Sequence, residues 1–417
     1  MCRHRHARKG TAMNRPIIFH VDVNSAFLSW EACHQLHIQP DAQDIRLVPS
    51  IIGGRREMRH GVVLAKSIPA SRAGIKTGEP IVHALKKCPN LLIFPPDFSI
   101  YRERSNALMD LFRTYAPCVQ QLSIDEAFLD MSGTQALYGD PVTFAHRLKD
   151  EVKEKLGFTV NIGISTNKLL AKMASDFEKP DKVHTLFPEE IPDKMWPLPV
   201  SDLLYAGKSS VQKLHNLGIF TIGELASANP SILQQHLKSH GRELHNYANG
   251  IDNSPVEAES EAAKGYSNSI TLPFDITSAG DAKEIMLSLC ENIGTRIRKD
   301  NAYISVVSVT IVDMDFHKTS HQVSLPNGTN ITDVIYENAC TLFDRLWDQT
   351  PIRLLGVHTS KASDENYTQY SLFDTAKNEK LEKLDMAIDA IRSKYGDNAI
   401  KRARLVKKDD HSPDNTT

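Results

Sequence analysis

The chain has 417 residues, 41% of them hydrophobic, with 49 Lys and Arg against 51 Asp and Glu, a formal net charge of −2. That length exceeds what one hydrophobic core usually supports, so two to four domains are expected, and the near-neutral balance excludes a polycation binding nucleic acid by bulk charge, leaving phosphate contacts to local patches. No apolar run approaches the roughly 20 residues of a membrane span, the N-terminus lacks the apolar middle of a secretory signal, and six scattered cysteines with no Cys-x-x-Cys pair suit reduced thiols in the cytoplasm.

Residues 3–9 are basic but precede a second methionine, Met13, and residues 1–13 are expected to be a disordered leader. A strand is predicted over 16–24, followed by a mixed segment to about Asn90 that carries Gly53, Gly54, Gly61, Gly74 and Gly78. Helices are predicted over 101–116, from apolar positions at helical spacing, and over 141–156, where Gly157 ends the pattern. Strands are predicted over 122–130 and 158–164. Helices on one face of a short antiparallel sheet make an α+β unit. A proline-rich joint at 188–199 leads into a small helical segment at about 200–250, and the acidic stretch 257–261 leads into alternating elements: a strand over 305–312, a helix over 331–347 and a strand over 354–360. Beyond them, 380–394 has helical periodicity and 401–408 is strongly basic, either a DNA-touching extension or a solvated tail.

The run 122–130 places Asp125 and Glu126 side by side among apolar residues, and Asp22 closes the similar run 17–22. Burying such charge is expensive unless something positive compensates it. Adjacent antiparallel strands would bring the three acids to one sheet edge, and carboxylates of this kind suit Mg²⁺, which keeps water and substrate phosphates in its shell. Two-metal phosphoryl transfer uses such a set, with ions roughly 3.5–4 Å apart.

Around Asp22 the chain reads His20-Val21-Asp22-Val23-Asn24-Ser25-Ala26-Phe27-Leu28-Ser29-Trp30, and after Glu126 comes Gly163-Ile164-Ser165-Thr166-Asn167-Lys168-Leu169-Leu170-Ala171-Lys172-Met173-Ala174-Ser175. In this order and spacing the motifs resemble the Y-family DNA polymerases, over about residues 16–373. The resemblance implies an α+β right-hand fold: an antiparallel-sheet palm (14–25 and 95–187), small fingers (26–94), a helix-hairpin-helix thumb (188–252), an α/β little finger (262–360) and a tail (361–417). It also implies a monomer that extends primer–template DNA from deoxynucleoside triphosphates with low fidelity, two Mg²⁺ being held by Asp22, Asp125, Glu126 and the Val23 carbonyl.

Further roles follow from the same resemblance. Phe27 occupies the position of the ring that excludes a ribose 2′-OH, Ile68 caps the nascent base, and Ser67 and Lys168 contact the triphosphate. The pattern asks for Arg or Lys at position 71, where this chain has Ser71, so Arg72 is the expected substitute. In the thumb, Gly207 and Lys208 would grip a DNA phosphate, with Tyr205 where the pattern has the first hairpin glycine. In the tail, Gln369, Leu372 and Phe373 are similar to the peptide that docks on a sliding clamp. Two other classes share part of this inventory. A metal-dependent nuclease would use the acids without Phe27 or Lys168, and a non-catalytic clamp-bound DNA module would have no use for three acids at these spacings.

Overall fold

The computed structural model describes residues 15–54, 61–258, 262–364 and 375–405. The leader and the motif containing Gln369, Leu372 and Phe373 lie outside the described residues. The chain divides into two compact units, one holding the described residues 15–54 and 61–258 and the other 262–364 and 375–405.

The first unit is built on a five-stranded sheet in the order β5-β6-β1-β7-β8, formed by β1 (Ile18–Val23), β5 (Cys118–Gln121), β6 (Glu126–Asp130), β7 (Val160–Ser165) and β8 (Val183–Thr185). Strand β1 is central and wholly buried. Its alternation sends Phe19, Val21 and Val23 into the apolar core with Tyr101, Leu108, Phe112, Phe144 and Leu148, leaving His20 and Asp22 on the opposite face. The helix Pro141–Leu156 spans the predicted residues because both ends are signalled locally. Asp140 accepts the Thr143 amide at 2.8 Å, proline follows it, and Gly157 stops the helix at φ 81°.

Two expectations are corrected here. The run 122–130 is not one strand: the amides of Leu122 and Ser123 both reach the Glu126 carbonyl (3.0 and 3.3 Å), closing a hairpin that puts Asp125 on the turn before β6. The sheet is also not wholly antiparallel, since β8 runs parallel to β7. Beside it, β2 (Ser50–Gly53), β3 (Val63–Lys66) and β4 (Leu92–Phe94) make a three-stranded sheet with a separate small core around Ile51, Val63, Ile75 and Ile81. The helices Lys208–Asn216, Ile222–Ser227, Pro230–Leu237 and Ser239–Ala248 pack around Leu214, Ile222, Leu233 and Leu244.

In the second unit, β9 (Ser267–Ile276), β10 (Ile304–Asp313), β11 (Lys318–Thr329) and β12 (Ile352–Ser360) form an antiparallel sheet in the order β11-β10-β12-β9. The helices Ala279–Lys299 and Thr332–Leu346 bury Met286, Ile293, Ile335 and Phe343 against Val307, Val309 and Leu355. The periodic segment near the C-terminus is helical over Thr375–Tyr395 and is not a free solvated tail. Arg298 binds Asp389 (2.6 Å) and Asp385 (3.1 Å), Arg392 binds Glu291 (3.2 Å), and Arg402 reaches Glu291, Asp385 and Asp333. No helix among the described residues is long and apolar enough to cross a membrane.

Candidate active site

Strands β1 and β6 pair with Asp22 opposite Glu126, and the Val23 amide donates to the carbonyl of Asp125 at 3.1 Å. Cross-strand partners share a face, so this register gathers the acids at one end of the sheet. A cavity of about 390 Å³ opens there, lined by Asp22, Val23 and Asp125, by Phe27, and by Lys66, Ser67, Ile68 and Ser71 of β3 and the short helix after it, with Lys179 at its edge. Between β1 and the helix Ala26–Ile38 the chain turns at Ser25, a non-glycine residue in the left-handed region (φ 49°). Strain of this sort is tolerated where the surroundings dictate the turn, and here it points Phe27 at the cavity.

The acids differ in their partners. Asp22 is buried, which pushes its pKa up, and the ammonium of Lys179 in contact with it offsets part of that cost. Lys179 is drained of charge by burial but more than restored by Asp22 and by Asp176 at 2.8 Å, so its pKa is raised. Asp125 takes a 2.6 Å hydrogen bond from the Ser123 hydroxyl. Glu126 is engaged beside the cavity, where His20 Nε2 lies 3.3 Å from Oε2 and Lys172 is in contact. The His20 hydrogen bond, then Lys172, outweigh burial and hold Glu126 down to about 2. The Ser175 hydroxyl donates to the Lys172 carbonyl (2.8 Å) and lies 2.7 Å from His20 Nδ1, a contact that orients the ring. The one trio of acid and histidine ligand atoms within 4.8 Å of one another among the described residues is Asp313, Asp315 and His317, in the exposed β10–β11 turn; Asp22, Asp125 and Glu126 are spread more widely.

Phe27 stacks on Tyr101 with centroids 4.6 Å apart and planes at 11°, and meets Phe98 edge-on at 5.7 Å. Tyr101 is fully buried, so one face of Phe27 is fixed to the core. Ile68 is 48% exposed at the cavity.

Three predicted substrate contacts are placed differently. Lys168 does not line the cavity; it starts the helix Lys168–Ser175, which packs on β7 and β1, and its side chain reaches β5 and β6, donating to Gln120 Oε1 (3.2 Å) and lying over the Phe128 ring. The Ser67 hydroxyl lines the cavity but is already committed, donating to the Val48 carbonyl (2.7 Å) and accepting the amides of Ser50 and Ala70 (both 3.1 Å). Arg72 is exposed and outside the cavity lining, whereas Ser71 is within it. In the helical segment Gly207 caps the helix Lys208–Asn216, and Tyr205 adopts φ 68°, the left-handed backbone that a glycine would take there.

Sequence reasoning missed Lys179, Lys66, His20 and Lys172. Lys179 is held in place by Asn161, which is fully buried opposite Asp22 and donates to the carbonyls of Ser175 (3.0 Å) and Glu178 (2.6 Å). The helix carrying Lys172 sits so close to β7 that a Cβ on Gly163 would run into the Ala171 carbonyl and the Ser175 amide. The His20–Asp22 alternation on β1 was the only local signal for any of the four.

Sheet, cavity and acids together define an α+β protein with an acidic cavity at one end of its main sheet. The model of the impB/mucB/samB family matches residues 21–176, and that of its C-terminal domain matches residues 263–372. The chain is 49% identical over 395 residues to DNA polymerase IV of Clostridium acetobutylicum, covering 94% of this chain and 99% of the relative. It is 32% identical over 404 residues to DNA polymerase IV 1 of Bacillus subtilis, covering 96% of each. In fold it is similar to a Y-family DNA polymerase chimera, with a TM-score of 0.70 and 24% identity over 82% of this chain and 98% of the other. The chain belongs to the impB/mucB/samB family, the Y-family DNA polymerases.

Proposed function

We propose that the cavity at the end of β1 is the nucleotidyl-transfer site of a template-directed DNA polymerase. The chain is a DNA-directed DNA polymerase of translesion synthesis, acting on DNA and deoxynucleoside triphosphates. The observation that carries the site assignment is that two acids, an aromatic ring anchored to the core, and two lysines line one cavity.

The donor set of Asp22, Asp125 and the Val23 carbonyl is all oxygen and hard, which fits a divalent cation such as Mg²⁺, with Glu126 adjacent as the further ligand. When bound, two such ions would neutralise charge on the transferring phosphoryl group and on the attacking and leaving oxygens. The side chains supply positioning. Ser123 orients Asp125, Lys179 offers a point charge to the triphosphate, Ile68 lies against the base, and Phe27, held from behind by Tyr101, bars a 2′-OH.

In this reading the palm, fingers and thumb occupy 14–25 with 95–187, 26–94 and 188–252, and the little finger 262–360. Gly207 and Lys208 hold the DNA backbone without reading sequence. The enzyme works as a cytoplasmic monomer that docks on a sliding clamp through Gln369, Leu372 and Phe373. Replacing Leu372 and Phe373 with Ala is expected to lower clamp affinity and clamp-stimulated synthesis with clamp-free extension unchanged; an unaltered affinity would count against the motif. Primer extension by the purified protein, on undamaged and lesion-bearing templates, tests the central reading. Lengthened primers support it, whereas shortened primers would indicate a nuclease and untouched primers a non-catalytic module.

A further inference from the structure

The Y-family pattern calls for a cation at position 71, and this chain has Ser71 there, with Arg72 exposed and outside the cavity lining. Two lysines line the cavity instead. Lys179 already has anionic partners in Asp22 and Asp176. Lys66 is the last residue of β3, fixed in the strand opposite Ile51 and only partly exposed. Among the described residues its ammonium has no ion-pair or hydrogen-bond partner. Holding a partly buried ammonium without an anion is unfavourable, and the cost is recovered when an anionic ligand enters the cavity. The other side chains near Lys66 offer little competition for that ligand, since the Ser67 hydroxyl is spent within the protein.

We infer that Lys66 is the cation of β3 that binds the triphosphate of the incoming nucleotide, replacing the basic residue that the family pattern has at position 71. This deepens the active-site reading given above and rests on it. Lys66 and Lys179 then act on one polyanion from two elements, β3 and the turn after the helix Lys168–Ser175, while Asp22 and Asp125 remain available for metal. A lysine serves as a compact point charge, so arginine at the same position should substitute in part.

Steady-state single-nucleotide insertion by the full chain tests the inference. Lys66→Met is expected to raise the KM for the deoxynucleotide roughly ten- to hundredfold, the size of losing one charge-assisted hydrogen bond, with kcat much less affected. Inhibition by added pyrophosphate should weaken in parallel. Lys66→Arg should restore most of the loss, as should adding Ser71→Arg to Lys66→Met, and Arg72→Ala should keep the parental KM. If Lys66→Met loses its cooperative thermal transition, Lys66→Gln carries the same expectation. A parental KM in the neutral variants, a KM rise with pyrophosphate inhibition intact, or a larger defect in Arg72→Ala would each overturn the assignment. A parent protein that extends no primer overturns the polymerase reading itself, so the two failures are distinguishable.

Discussion

Asp22 in the first unit and Asp385 in the second are both buried carboxylates, with side-chain exposures of 12% and 5%. Asp385 accepts the Thr332 amide (2.8 Å), Arg298 (3.1 Å) and Arg402 (3.3 Å), so its oxygens are met by one backbone amide and by two guanidinium groups that never lose charge. Asp22 has a single lysine and an open cavity beside it, and its raised pKa records charge that the protein leaves under-compensated. Saturation by arginine forks marks a structural carboxylate, whereas a carboxylate short of donors at a cavity wall is held ready for a ligand.

Crossed measurements of activity and stability probe that contrast. Asp125→Asn is expected to cut nucleotide addition by on the order of 10²–10³-fold while the melting transition stays within about 0.5 kcal/mol of the parent, the usual range for a side chain free of buried contacts. Loss of stability with activity intact would reverse the roles assigned to the two units. Arg298→Ala is the counterpart: it removes one of the three donors of Asp385 and the guanidinium of Asp389 and should cost about 1–3 kcal/mol in the second unit, read by thermal or urea unfolding, with primer extension at low temperature retained by the folded fraction. Unchanged unfolding would show the ionic lattice to be incidental.

A smaller effect concerns acid. Glu126 has a folded pKa of about 2 against an ordinary 4.5. A depressed carboxylate pKa contributes stability that is fully present above 4.5 and is lost as pH falls toward 2. In EDTA, Glu126→Gln should therefore flatten the acid limb of the stability curve in that window, and a limb of parental steepness would remove Glu126 from the set of stabilising charges. The last variant is Phe27→Ala. It loses the stack on Tyr101, worth about 0.5–1.5 kcal/mol beyond buried area, but should raise ribonucleotide insertion while deoxynucleotide use persists. Unchanged discrimination would make Phe27 a packing residue.

The elements were legible where local signals were complete. The helix Pro141–Leu156 was read residue for residue because Asp140 and Gly157 mark both ends; Asp22 and Asp125 were picked out because their charge conflicts with apolar surroundings, and Phe27 by its place in the resembled motif. Asp125 was nonetheless assigned to a strand: the hairpin at 122–125 depends on two amides sharing one carbonyl, which leaves no trace in composition. Lys168 was singled out because it lies inside a recognisable motif, and Lys179 was missed because reach into a cavity is decided by where a helix sits on a sheet. Nor did periodicity say what covers the helix Thr375–Tyr395, whose buried contacts are ionic and spaced along the chain at Asp385, Asp389 and Arg392.

The bare α-carbon of Gly163 has an effect well beyond its own strand. It sets the clearance at which the helix Lys168–Ser175 lies on β7, and that clearance decides whether the ammonium of Lys172 and the hydroxyl of Ser175 arrive at Glu126 and His20. A methyl group added there would act as a wedge, lifting two polar groups out of reach of the catalytic end of the sheet without altering a single charge. The electrostatic tuning of the site is in this sense a machining tolerance, held by an atom that is not present.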